Sequence, residues 1–587
     1  MFAQITRIVR WCLLLLLCIP VLAGLVGVAF PALGYFPAIG ANTFSLEVFK
    51  ELFALDDIWQ MVWLSLFTGV GSTLVAMAGA FLLLASFYQS KWLSRVQGLL
   101  SPFLVFPHAA AAIALLFALS PSGIFARIAA VGTNTVIPGT SDTLFPYDAF
   151  FPYDSGGLSV LLALSLKELP FIILMALSVM SQPLVKSKLS GYIKVGAALG
   201  YSPSAVFFKL VIPTVFAQIK LPILAVLVFA TSNVEIPLIL GGNNPSTLAV
   251  AIMHWFNHID LSMRLLASSA AVLQVAVSAL ALLLFLGGER LVVYVGKIRL
   301  AKGNRRFSDG LVHGAAYSIV ALYVSLISAV VYSVFMFSIA KQWSFPFLLP
   351  EGTTLLHWNT AFEALATPLS NSLLLGGLVS TSALGLVLFT LESEQLKPAG
   401  INADRAFSVS LFLPLLVPGV AFLYGLVWFQ QLVLQNAVWF HTYIAHMVYV
   451  VPYMFLSMAV AYRKFDNRYA MVAQSLGKTP WQVFYHIKLP SLFGAIMVAW
   501  ALGLAISFSQ YLPTLLASGG TIATITTEAV ASVSGSSTRL TAVFVIIQGV
   551  MPLVGFVIAW YLPAALVKQG SRLSAVEKKS RAVLHGA

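Results

Sequence analysis

Few residues of this 587-residue chain could do chemistry, and most of them stand inside apolar runs. Lys167 and Glu168 are adjacent in LSLKELPF, and Asn233 and Glu235 lie two apart in ATSNVEIPLIL. Ser507, Ser509 and Gln510 hold a comparable place in the second half of the chain. Ionisable groups in apolar segments are costly and by default mark a solute path, a gate, or a tie between helices. Both the path reading and the structural reading stay open for these seven residues. Catalytic patterns are missing: there is no His-Glu-x-x-His, no Gly-x-Ser-x-Gly and no Cys-x-x-Cys. Gly477-Lys478-Thr479 supplies only the end of a phosphate loop, because Val472 stands where its first glycine belongs and no strand precedes it. His441 and His446 are five apart, the wrong interval for one helical face, and read as membrane-interface residues instead of ligands. Cys12 and Cys18 read as small apolar fillers.

The elements that carry these residues are membrane spans. Hydrophobic residues make up 59% of the chain and charged residues 9%, against about 25% in a soluble domain. Runs long enough for a hydrocarbon core of about 30 Å recur at roughly 11–32, 60–86, 99–120, 158–182, 215–240, 265–290, 313–340, 367–392, 405–432, 440–462, 491–516 and 541–566. This predicts an all-α integral membrane protein with about twelve transmembrane helices. The net charge of +13 needs no nucleic-acid partner. If both termini are cytoplasmic, all but six of the 33 Lys and Arg fall in alternate loops on that side, which is the positive-inside pattern. The first apolar run continues to about Phe30, too long for a cleaved signal, and reads as a retained span.

The spans divide into two sets of six around the basic segment Arg290–Gly310. Residues 1–295 form the first half, 296–312 a cytoplasmic linker, 313–567 the second half and 568–587 a cytoplasmic tail. Pro107 aligns with Pro418, LPFIILMAL from Leu169 with VPYMFLSMA from Val451, and Ser65 with Ser372. An even number of spans per half makes the repeats parallel, related by an axis along the membrane normal. An outer loop at about 120–157, containing PYDAFFPYD, has no counterpart in the second half and reads as a cap or a docking element.

One half-polar stretch occurs twice, as ALGYSPSAVFFKLVIP and SLGKTPWQVFYHIKLP. Leu199 and Leu476, Gly200 and Gly477, Ser202 and Thr479, Pro203 and Pro480, Val206 and Val483, Phe207 and Phe484, and Pro213 and Pro490 are each 277 residues apart, with no gap. Gly ends a helix in the left-handed conformation, Ser or Thr caps the next one, and Pro suits its first turn. The pattern predicts a helix, a corner and a short helix from Pro203 to about Val211 and from Pro480 to about Lys488. Pro213 and Pro490 then mark the turn into the next span. Val206, Phe207 and Leu210 share a face of that helix, as do Val483, Phe484 and Ile487. Such a face rests on the protein's own cytoplasmic ends or lies in a partner's groove. Its duplication points to a partner with two equivalent sockets.

A Gly followed thirteen positions on by a Pro, before the penultimate span of each half, resembles the "EAA" loop of membrane subunits of binding-protein-dependent ABC importers. The twelve-span form resembles the fused permeases of iron(III) and thiamine uptake systems. That resemblance implies the type I permease fold and a bacterial inner-membrane location. It also implies two cytoplasmic ATPase subunits that supply ATP and Mg, no cofactor on this chain, and an extracytoplasmic solute-binding protein. It assigns Gly200, Pro203, Phe207 and Pro213, with Gly477, Pro480, Phe484 and Pro490, to ATPase coupling. The family's opening Glu-Ala-Ala is replaced by Lys194-Val195-Gly196 and Met471-Val472-Ala473, so a salt bridge from that Glu is not implied. The rival class is an ion-coupled secondary transporter of two parallel six-helix halves, which offers no role for the twin corners.

Overall fold

The structure, a computed structural model, describes residues 1–88, 90–133, 151–301, 303, 305, 308–396, 401–535 and 537–584. Lys397 and the Pro146–Phe150 part of PYDAFFPYD lie outside the described residues. Twelve principal helices build the body: α1 Phe2–Ala32, α2 Ile58–Phe87, α3 His108–Leu119, α4 Leu158–Met180, α5 Ile212–Thr231, α6 Met263–Ala301, α7 Asp309–Ile339, α8 Leu356–Gln395, α9 Gly419–Val433, α10 Val438–Lys464, α11 Phe493–Phe508 and α12 Thr538–Leu584. Among the described residues ten helices are long and apolar enough to cross a membrane, or twelve if two bent pairs each count as one span. The chain is an all-α integral membrane protein.

Several spans that read as continuous are broken, and proline explains two of the breaks. Pro107 and Pro418 lack an N–H and push the preceding residue out of helix, so α3 and α9 each follow a break, with a bend of 105° between Ser410–Leu416 and α9. Pro170 sits inside α4 without breaking it. A proline frees the carbonyl four residues earlier, here that of Leu166, and the Tyr323 hydroxyl of α7 donates to it at 3.4 Å. In hydrocarbon such a neighbour has to replace the missing bond.

The two halves repeat each other down to single hydrogen bonds. Ser65 accepts from the Leu248 N–H and Ser372 from the Ile525 N–H, both at 3.0 Å, so each second span caps a later helix of its own half. The fifth spans end at Thr231 and Phe508. Gln274 donates directly to the Thr231 carbonyl, and Gln548 donates to the Thr526 hydroxyl, which in turn donates to the Phe508 carbonyl. In the segment before α4, Asp154 accepts from the Leu158 and Ser159 N–H groups and so caps α4.

Sequence halves are not spatial halves. α1 packs along α9 and α8 of the second half, and α7 packs along α3 and α2 of the first. The α1–α9 crossing is close enough for backbones to touch, because Gly24 and Gly27 face Phe422 and Gly425. Small residues are what permit such approach between helices in lipid.

Candidate functional site

Each corner begins where a helix ends, at Ala198 and at Ser475. Gly200 and Gly477 take φ of +76° and +81°. In the first corner the Tyr201 N–H bonds the Gly196 carbonyl and the Gly200 N–H that of Ala197. In the second, Lys478 bonds Ala473 and Gly477 bonds Gln474, so both are Schellman ends. The chain then turns and restarts. Ser202 accepts from the Ala205 N–H at 3.4 Å, and Thr479 from Gln482 at 3.3 Å, with Gln482 returning a bond to the Thr479 N–H. Gly477-Lys478-Thr479 is therefore a helix end and a cap.

Past Pro203 and Pro480 the short helix differs from the sequence reading. One α turn is followed by π turns over Phe207–Val211 and Phe484–Lys488. Pro213 does not turn the chain, since the helix runs on through it into α5, and the widened turn before it takes up the bond that proline cannot donate. In the second half the bend of 77° falls beyond Pro490, around Leu492.

The rings take the first of the two placements open to them, on the protein's own helices. Phe207 and Phe484 are 5% and 2% exposed, and both are covered by this chain. Phe207 lies 6.2 Å from the Tyr88 ring, while Phe484 lies 5.4 Å from Phe389 and 5.8 Å from Phe2. Val206 and Val483 are buried beside them, whereas Leu210 is 38% exposed. The faces that remain open lie one helix earlier. Val195 and Leu199 are 58% and 54% exposed, and Val472 and Leu476, 277 residues on, are 59% and 77% exposed. Spacing i, i+4 puts each pair on one stripe.

Both corners lie at the same end of the bundle. Phe2, the first residue of α1, touches Trp481 and Phe484, and Asp309, the first residue of α7, bonds the Ser204 N–H. Between the halves the buried polar residues partly converge. Lys167 donates to the Phe106 carbonyl at the Pro107 break and is within electrostatic reach of Glu168 and Glu235. Glu168 stands 3.7 Å from His108, and Glu235 accepts from the Tyr511 N–H of the second half at 3.4 Å. Glu235 and Tyr511 stand at the corresponding breaks after α5 and α11.

The other polar residues hold helix ends. Asn233 caps the Glu235–Leu240 helix through the Ile236 N–H at 2.9 Å, Ser509 donates to the Ala505 carbonyl, and the Gln510 carbonyl accepts from the Thr514 hydroxyl. Ser507 is bonded to His446, whose other ring nitrogen reaches Thr514, both at 2.9 Å. His446 and His441 are both buried within the protein, at 1% and 2% exposed. A neutral imidazole carries one donor and one acceptor, which two hydroxyls satisfy inside the bundle.

Sequence reasoning missed a second charged group, buried under one corner only. Lys488 Nζ donates to Glu392 Oε1 at 2.8 Å, Glu392 Oε2 at 2.6 Å and Gln395 Oε1 at 2.8 Å, and the Tyr462 hydroxyl donates to Glu392. At the matching first-half registers stand Val211 and Ala85. The available signal was Glu392 at the end of an apolar run.

No family model matches the chain. It is 26% identical over 541 residues to the inner membrane ABC transporter permease protein YnjC of Escherichia coli (strain K12), covering 90% of this chain and 93% of that one. It is 30% identical over 186 residues to the putative 2-aminoethylphosphonate transport system permease protein PhnV of Salmonella typhimurium (strain LT2), 31% of this chain and 69% of the relative. It is 31% identical over 131 residues to the putrescine transport system permease protein PotI of Escherichia coli (strain K12), 22% of this chain and 46% of the relative.

Proposed function

Because this chain belongs to the ABC transporter permeases and has their type I fold, we propose that it is the complete membrane pathway of an ATP-driven importer, two permease halves in one polypeptide. The solute is small and polar and is delivered by a binding protein on the side opposite the corners. The corner-bearing end faces the cytoplasm of a bacterial inner membrane, with both termini on that side. Two ATPase subunits bring ATP and Mg and dock one at each corner. Their closure rocks the halves about the axis marked by Glu235 and Tyr511, and Lys167, Glu168 and Glu235 line the path there.

The observation that carries this reading is the repeated open stripe, Val195 with Leu199 and Val472 with Leu476, on two corners at one end of the molecule. An exposed apolar patch repeated in register marks a partner surface, and two copies match two identical partners. The sockets are thus filled by these residues, while Phe207 and Phe484 shape the corner from below.

The test is the double variant Leu199→Glu, Leu476→Glu, co-expressed with the transporter's ATPase subunit. Both leucines are exposed, so the chain should insert and fold. Burying a leucine contributes about 1.5–3 kcal/mol, and 1.4 kcal/mol is tenfold in affinity, so ATPase association should fall roughly a hundredfold or more. Undiminished co-purification would refute the docking assignment.

A further inference from the structure

Each corner is touched by the first residue of the other half's first span, at matching registers. Phe2 and Asp309 are 307 residues apart, the interval that also separates Ser65 from Ser372. Phe2 is 5% exposed and its ring lies 4.6 Å from Trp481. Asp309 Oδ1 accepts from the Ser204 N–H at 3.1 Å. Ser204 and Trp481 are 277 apart, the interval of the corners themselves. One contact is an aromatic pair and the other a charge-assisted bond to an N–H that has no partner within its own helix. The chemistry differs and the position does not, so what the two halves share is the placement of a brace.

The spans behind these residues are fixed to the same opposite half along their length. α1 meets α9 backbone to backbone at Gly24, Gly27 and Gly425. α7 gives the Tyr323 hydroxyl to α4, and its Val312 carbonyl accepts from Ser86 of α2. Each first span is therefore held at its start by a corner of the opposite half and along its shaft by that half's core.

We propose that Phe2 and Asp309 are positioning residues through which each coupling corner drives the first span of the other half, so that the two strokes are transmitted crosswise and the halves move only together. This rests on the reading of the corners as ATPase docking sites. It goes beyond that reading in naming which span each corner moves.

The experiment uses the full chain with its ATPase subunits in lipid nanodiscs, in a Cys12→Ser, Cys18→Ser background. Spin labels at Leu33→Cys, just past the far end of α1, and at Leu349→Cys, in the segment that follows α7, report the separation beyond the two crossed spans, with ATP and orthovanadate as the probe. The parent protein should change this distance on trapping. Phe2→Ala and Asp309→Ala should each retain less than half of the change while keeping bound ATPase, and Asp309→Asn, which still offers an acceptor, should keep most of it. A role in folding alone would lower the yield of assembled transporter and leave the change intact in what assembles. A full change in both alanine variants overturns the proposal. If the parent chain binds no ATPase subunit, the docking reading fails instead, and the crosswise transmission with it.

Discussion

Replacing Lys488 by methionine should destabilise the protein by about 3–5 kcal/mol, the cost of leaving a buried partner charge uncompensated. Lys488 and Glu392 side chains are 5% and 4% exposed. All three ammonium protons are used, two on Glu392 and one on Gln395, and the Gln395 amide in turn donates to the Tyr462 carbonyl at 3.2 Å. Lys488→Met strands the carboxylate beside Tyr462 and opens the network. The double variant Lys488→Met, Glu392→Leu removes both charges and should sit much nearer the parent, since a buried ion pair adds little net stability over apolar packing. Thermal unfolding of the purified protein in detergent measures both. A single variant as mild as the double would show that the pair is solvated. Because Lys488 closes the π turn of the second corner, hydrogen exchange should rise over 480–491 and stay unchanged over 203–214.

Gly425→Leu should be comparably damaging, for a steric reason. A Cβ at Gly425 would lie 2.7 Å from the Val28 nitrogen and 2.8 Å from the Gly24 carbonyl carbon, and would overlap the Gly24 oxygen. These are backbone atoms of α1 and cannot rotate away, so the whole span must move off α9. Overpacking costs about 1–3 kcal/mol, occasionally more, and here it also loosens the span that braces the second corner. The expected result is a large drop in monodisperse protein after extraction, with the survivors unfolding at lower temperature. Gly287→Leu is the control, because a side chain there meets nothing within 4 Å. Equal yields of the two variants would mean that α1 is not held where the structure places it.

The spans were legible because the bilayer demands apolar length, and the corners because left-handed Gly200 and Gly477, followed by Ser202 and Thr479, are local features. The π turns were not. Proline at 213 and 490 announces a lost bond, but a widened turn and a sharp break both absorb it, and which occurs depends on what packs outside. The direction of Phe207 and Phe484 was equally hidden. An amphipathic stretch says that a face is buried, while Tyr88, Phe389 and Phe2, the residues that bury it, are far away in sequence. Lys488 and Glu392 are 96 residues apart, and no local pattern pairs them. Lys167, Glu168 and Glu235 were visible as charges in apolar runs, yet the bond of Glu235 to the Tyr511 N–H depends on the two halves meeting there. Asn233 and Ser509 drew notice by polarity and bond the ends of broken spans, as interrupted helices in lipid need, while Ser507 bonds His446 of a neighbouring span.

The central claim is that the exposed stripe of each corner is where an ATPase subunit sits. A photo-crosslinking side chain placed in turn at Leu199 and at Leu476, in membranes carrying the assembled transporter, tests it directly. An ATPase adduct of the same kind is expected from both positions and none from Leu373 or Leu374, which are 53% exposed on the shaft of α8. Adducts from Leu199 and Leu476 to lipid alone, or to the ATPase from only one of the two, would contradict it.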